Sequence, residues 1–286
     1  MTKDIKHVHG NVKIKLAKFL SKQFANILFI FFKIFFPKVK NSSNEILISR
    51  ATYAPWKIDH KFMSILSKVN DLTLLDYPRL YTFFFLSKQI KNLKGDILDI
   101  GCMKGGVGIL LSFMNTNGRV MLFDTFEGFL DKENLHKNNI FKFEGLDELK
   151  KTIRRYKLKN TFVYKKYFPN EVNNLRIRKI KLCHIDVNTY VSTKRTFYYV
   201  KNKIVRNGII IFDDYGVHGV EKVTSFVNRL IKKEKGNFTF IQNYFCDFVY
   251  FLSSKRRFYC FFSRSFATSC IMKNLVHSKK FVNIDS

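Results

Sequence analysis

Acid is scarce in this chain: 22 Asp and Glu stand against 51 Lys and Arg, a formal charge of +29 over 286 residues. So basic a balance favours nucleic acid, anionic membrane or acidic glycans as neighbours, although Lys, Asn, Ile and Phe are also what an AT-rich genome writes. Cysteine is sparse as well. Cys102, Cys183, Cys246, Cys260 and Cys270 are odd in number and form no CxxC, which argues against a disulfide framework and fits free thiols in a reducing, cytoplasmic setting. There is no internal repeat. What is plentiful is apolar content, 46%, enough to bury the core of one large α/β domain with appendages.

A long hydrophobic run is also missing. The most apolar stretch, FANILFIFFKIFF from Phe24 to Phe36, has thirteen residues and at a rise of about 1.5 Å each falls short of a hydrocarbon core of about 30 Å. Extending it back to Phe19 brings in Lys22, Gln23, Asn26 and Lys33. A signal peptide fits no better, because Lys33 interrupts the apolar region and PKVKNSS offers no small-residue cleavage site. Residues 19–36 are therefore expected to form a helix at the cytoplasmic face of a membrane, helped by Lys3, Lys6, Lys13, Lys15, Lys18 and Lys22. A buried or oligomer-forming helix is the next reading. Three regions follow: a basic, apolar extension (1–79), a central domain (80–254) and a basic aromatic tail (255–286).

From about Leu80 short apolar runs alternate with helix-like segments, the pattern of a parallel sheet covered by helices. Strands are expected at 95–101, 119–125, 161–167, 180–187 and 208–215. Helices are expected from near Lys104, over 146–156, over 189–204 and over 220–235. Two further extended pieces, 238–243 and 248–254, have no helix between them and predict an antiparallel hairpin at the sheet edge.

In such sheets ligands sit beyond the carboxyl ends of the strands. There DIGCMKGGVG places Asp99 at a strand end, followed by Gly101, Gly105, Gly106 and Gly108; the spacing is not GxGxxG, which lowers a nicotinamide dehydrogenase. Asp124 ends the next strand, where an acid takes ribose hydroxyls. The bland alternative makes the glycines turn residues and Asp124 a helix cap.

GDILDIGCMKGG with FDTFEGF, then HIDVNTY and GIIIFDDYG in order, resembles the macrocin O-methyltransferase family of sugar-modifying enzymes, over roughly residues 80–254. YFPNEV, Tyr167 to Val172, is a weaker match. The resemblance implies a class I methyltransferase, Rossmann-like fold with a mostly parallel seven-stranded sheet, an antiparallel edge hairpin and an N-terminal helical extension. It implies S-adenosylmethionine seated by Asp99, Gly101, Gly105, Gly106 and Asp124. Asp99 replaces the family's usual Glu, and Thr125 its Ser.

Asp186 closes the strand KLCHIDV, and a parallel neighbour ends in Asp213 and Asp214. Converging carboxylates need protons or a cation, and all-oxygen ligands suit Mg²⁺ or Mn²⁺ better than zinc. In the resembling family the equivalent three acids bind Mg²⁺, with Asp186 and Asp214 as catalytic candidates here. A cation-free alternative has Asp214 capping the following helix and Asp213 bonded to Arg or Lys. One departure is Asn188, which stands where the family has a second acid and has no useful basicity. His184 and His218 read as structural, Tyr190 as packing, and Thr189 disfavours catechol-type methyltransferases, which carry Lys there.

The expected function is Mg²⁺-dependent methylation of a hydroxyl on a sugar, glycosylated metabolite or polysaccharide, with a small-molecule acceptor. Open alternatives are a weakened, methyltransferase-like module docking on membrane or RNA, and an RNA methyltransferase. The tail segment Phe258–Phe266 beside Arg257 and Arg264 could stack on bases, but nucleic acid is the lesser expectation. Homo-oligomerisation stays open.

Overall fold

The computed structural model describes residues 54–128, 145–217, 219–234, 236–242 and 249–253, with isolated helical positions between Leu16 and Ile30. The tail 255–286, His218, Cys246, Cys260, Cys270 and most of the extension lie outside the described residues.

Among the described residues seven strands form one sheet: β1 (Asp96–Ile100), β2 (Val120–Asp124), β3 (Thr161–Lys165), β4 (Ile180–Ile185), β5 (Ile204–Phe212), β6 (Phe238–Gln242) and β7 (Val249–Ser253). Their order is β3-β2-β1-β4-β5-β7-β6. The first five run parallel, and β7 pairs antiparallel with both β5 and β6. The order reverses at β1, which lies between β2 and β4, so the crevice opens at the carboxyl ends of those strands. The expected edge hairpin is present. The crossover helix was expected to run to residue 204, but it stops at Lys201, because Ile204 already pairs with Ile180 as the first residue of β5.

Both faces of the sheet are buried, which is why its central strands read as nearly continuous apolar runs. Alternation divides each strand between two cores. Ile97, Leu122, Leu182 and Ile211 point to one side, against α1 (His60–Val69), α2 (Tyr77–Gln89), α3 (Gly106–Met114) and α4 (Leu146–Arg155). Leu98, Phe123, Ile185 and Phe212 point to the other, against α5 (Tyr190–Lys201) and α6 (Glu221–Lys233).

Two N-terminal helices belong to this core. Asp59 caps α1 by accepting the Phe62 N–H at 3.0 Å, and Asp76 caps α2 by accepting the Arg79 N–H at 2.9 Å. Phe62, Ile65, Leu66 and Val69 of α1 are buried with Leu80, Phe83 and Phe84 of α2. The expected boundary between residues 79 and 80 therefore falls inside α2, which shares its core with α1 and the sheet. The sequence pattern alone missed this because α2 carries aromatics on most sides rather than a clean stripe.

Phe62 is fully buried among the rings of Tyr81 and Phe84, 5.0 Å and 5.3 Å away by centroid. Phe62→Ala is expected to destabilise the whole domain by about 3–5 kcal/mol. Denaturant unfolding checks it: a loss under about 1 kcal/mol would separate α1 from the core.

Candidate active site

Loops leaving the five parallel strands enclose a cavity of about 360 Å³, closed on one side by Leu72–Leu75 and Arg79. Gly106 explains how that segment comes so close. A Cβ there would lie 2.6 Å from the Leu72 carbonyl oxygen, so only glycine lets the start of α3 meet the N-terminal segment. Gly101, with φ of 87°, turns the chain where a Cβ would strike the Asp186 carbonyl. Gly105 caps α3 in the left-handed region. Two of the three expected cofactor glycines thus serve close chain packing, and Gly101 also lines the cavity together with Gly106.

Three of the loops contain turns in which a carboxylate holds a side-chain-bearing residue at positive φ. Met103 (45°) and Phe126 (56°) donate their backbone N–H groups to Asp124, at 2.8 Å on Oδ2 and 2.7 Å on Oδ1. Asn188 (55°), after β4, donates its N–H to Asp214 Oδ2 at 2.8 Å. Left-handed backbone outside glycine costs of order 1 kcal/mol or more, and these charge-assisted bonds offset it. Asp124 therefore ties the first two loops together. Burial pushes its carboxyl above the usual range, against the pull of those N–H donors.

The centre of the cavity wall is a chain of charges across β1, β4 and β5. Asp99 and His184 are register partners on neighbouring strands, so their side chains share a face. His184 Nδ1 lies 2.8 Å from Asp99 Oδ1, both side chains almost fully buried, and its Nε2 is 3.8 Å from Asp213 Oδ1. The second contact is an ion pair too long for a hydrogen bond. Burial alone would lower the imidazole pKa, but Asp213 and Asp99 overcome it and raise the group to about 10. From the opposite side Arg79 Nη1 donates to Asp213 Oδ2 at 3.2 Å. Phe83 of α2 sets its ring edge-on to the imidazole at 4.7 Å.

The three expected metal ligands all line this cavity. Ligand atoms of His184, Asp186 and Asp213 lie within 4.8 Å of one another. Asp186 Oδ1 also accepts the Asn188 side-chain amide at 3.4 Å. Burial, followed by repulsion from Asp213 and Asp214, drives the Asp186 carboxyl well above its ordinary range. Burial and Asp213 raise Asp214 to about 7. Of the cation-free alternative, one half is present and one is not: Asp213 does meet an arginine, whereas the N-cap of α6 is Val220 and Asp214 caps nothing there.

Does a divalent cation suit these residues? Four carboxylates, Asp99, Asp186, Asp213 and Asp214, face two cations, His184 and Arg79, a formal excess of two negative charges when all ionise. Asp213 Oδ1 is buried without a hydrogen-bond partner. An oxygen-rich set with that excess fits a hard dication.

Tyr190 packs edge-on against Phe226, as its packing assignment anticipated. Sequence reasoning missed Arg79, which lies 134 residues from Asp213 and carries no local signal. The role of His184 was missed as well, although aligning β1 with β4 would have placed it beside Asp99.

A family model described as Macrocin-O-methyltransferase (TylF) matches residues 82–241, more than half of the chain. Among solved structures, the O-methyltransferase NovP is 20% identical with a TM-score of 0.57, over 64% of this chain and 83% of that one. The calicheamicin methyltransferase CalS11 is 14% identical with a TM-score of 0.52, over 74% of this chain and 98% of that one. At these identities both show a shared fold. No curated protein matches the chain.

The raised groups give the metal-free protein a definite pH response. Between the ordinary carboxyl value of 3.8 and about 7 the folded state holds a proton on Asp214 that the unfolded chain releases. Between 6.5 and about 10 it likewise holds one on His184. More protons bound in the folded state means stability falls as pH rises through both windows. In chelator the melting temperature is expected to drop by several degrees from about pH 5 to about pH 8, and Mg²⁺ to flatten that drop. A melting profile that Mg²⁺ leaves unchanged would argue against a cation at the acids.

Proposed function

From the premise that this chain belongs to the macrocin O-methyltransferase family and is an S-adenosylmethionine-dependent O-methyltransferase, we propose that it methylates a hydroxyl of a sugar or glycoside with the help of Mg²⁺. The observation that carries the metal-dependent part is the convergence of Asp186 and Asp213, whose buried Oδ1 accepts no hydrogen bond, beside the cavity between the cofactor loops. Asp99, Gly101, Gly105, Gly106 and Asp124 form the donor side; Asp186, Asp213 and Asp214 form the ion side.

In the reaction the acceptor oxygen forms a new O–C bond to the donor methyl as the C–S bond breaks, and the electron pair returns to sulfur. The hydroxyl proton leaves the oxygen. An aliphatic alcohol is scarcely ionised at neutral pH, and Mg²⁺, when bound by the three acids, would stabilise negative charge developing on that oxygen. The chain itself supplies position. Asp124 fixes the two donor loops relative to each other. His184 and Arg79 hold the Asp213 carboxylate from two sides, the imidazole facing Oδ1 and the guanidinium donating to Oδ2. Asn188 offers no basic atom at this position, so the proton passes to solvent in the cavity rather than to that side chain.

Asp186→Asn and Asp213→Asn are each expected to lower kcat/KM by about 100-fold or more, with S-adenosylhomocysteine affinity changed less than about threefold. Turnover with a surveyed panel of sugar acceptors, beside calorimetric titration of S-adenosylhomocysteine, separates the two effects. Full turnover in excess chelator would refute the ion. Asn188→Asp, at a left-handed position that Asp tolerates, is expected to raise kcat by about tenfold or more by restoring a base. Transfer by neither form, with intact folding, would favour the non-enzymatic module.

A further inference from the structure

Six large apolar side chains stand in water near the N-terminus. Leu16, Phe19, Leu20, Phe24, Ile27 and Ile30 occupy helical positions and are each between 55% and 64% exposed. Isolated apolar residues on a surface are ordinary, but a contiguous stripe marks an interaction site. Their separations of three and four residues put all six within an arc of about 140° on one side of a helix. From Leu16 to Ile30 a helix rises about 21 Å, short of a bilayer core. No helix among the described residues is long and apolar enough to cross a membrane.

The charge around this stripe identifies what covers it. The first fifty residues hold nine lysines and Arg50 against only Asp4 and Glu45. In the sequence Lys15, Lys18 and Lys22 recur at separations of three and four, so that helical counting keeps them together and away from the apolar positions. A second copy of the segment would bring two such basic runs together, and the repulsion works against pairing. RNA would satisfy the lysines but leave the stripe in water. A lipid surface with anionic headgroups satisfies both, taking the apolar side chains into its interfacial layer and the lysines at its phosphates.

We infer that the N-terminal helix docks the protein on an anionic bilayer, lying in its plane with Leu16, Phe19, Leu20, Phe24, Ile27 and Ile30 inward. This inference is independent of the reaction assigned to the cavity: the stripe and its charges would bind lipid whatever the domain catalyses.

The test is co-sedimentation of the full-length protein with vesicles of phosphatidylcholine, alone or with about 30% phosphatidylglycerol. Binding to the anionic vesicles is expected to exceed that to neutral ones by at least about tenfold and to weaken with added salt. The double variant Leu20→Glu/Ile27→Glu is expected to lose about tenfold or more of that binding while keeping the melting temperature and S-adenosylhomocysteine affinity of the parent. Lys18→Gln/Lys22→Gln is expected to lose about fivefold per lysine on anionic vesicles and little on neutral ones. Three outcomes would overturn the inference: no binding to anionic vesicles at low salt, equal binding by the Leu20→Glu/Ile27→Glu variant, or a dimer in light scattering that this variant dissolves while vesicles are ignored.

Discussion

The site depends on one buried ion pair, His184 against Asp99, and on its extension to Asp213. A histidine deep in a parallel sheet would ordinarily be neutral, since burial penalises its charge. Here two carboxylates on neighbouring strands outweigh burial and hold the proton on the ring. The consequence reaches beyond one residue. Asp99 lies next to the end of β1, which leads into the donor-side loop, and Asp213 directly follows β5 as the first of the tandem acids, so a single cation links the two halves of the cavity at a spacing fixed by strand register. Neither half can shift along the sheet without breaking that link.

The same geometry explains why two acids can stand side by side in so basic a chain. Asp213 meets Arg79 and lies near His184, whereas Asp214 turns back to the backbone N–H of Asn188. The pair therefore splits, each carboxylate engaged by different partners, and Asp186 opposite is left with a weak amide contact and a strongly raised pKa. Asn188 takes part in this balance through its backbone. Its left-handed conformation points the N–H at Asp214, a conformation Asn and Asp adopt more readily than most residues. An Asn at this position thus preserves the turn that organises the acids even though its side chain supplies no base.

Much of this was legible in the sequence because parallel strands buried on both faces leave a plain signal. Runs such as Ile97–Ile100 and Ile209–Phe212 are apolar at nearly every position, and the acids that end or follow β1, β2, β4 and β5 mark the edge where ligands bind. The edge hairpin was legible because the sequence offers no helical pattern between the extended pieces 238–243 and 248–254. What escaped was whatever depends on distant chain meeting distant chain. Gly101 and Gly106 were read as room for a ligand, and they have a packing role besides: a Cβ on either would collide with protein backbone, from Asp186 and Leu72 respectively. Helix α1 escaped division into its proper domain because burial of Phe62 is decided by partners on α2 and cannot be read from its own segment.

Arg79 shows where these two lessons join. It lies just before the family-matched residues, on a helix whose start is fixed by the Asp76 cap and whose body is buried through Leu80, Phe83 and Phe84. Its guanidinium reaches the cavity only because α2 is docked, and α2 is docked through the aromatic cluster it shares with α1. The N-terminal helices therefore do more than extend the core. They deliver one of the two cations that leave the carboxylate cluster two charges short of neutrality, and Phe83 on the same helix shields the imidazole that is the other. Loosening α1 and α2 would expose His184, withdraw Arg79 and set Asp213 free of both restraints in one event. The electrostatics of the cavity and the packing of the domain are for this reason a single cooperative property.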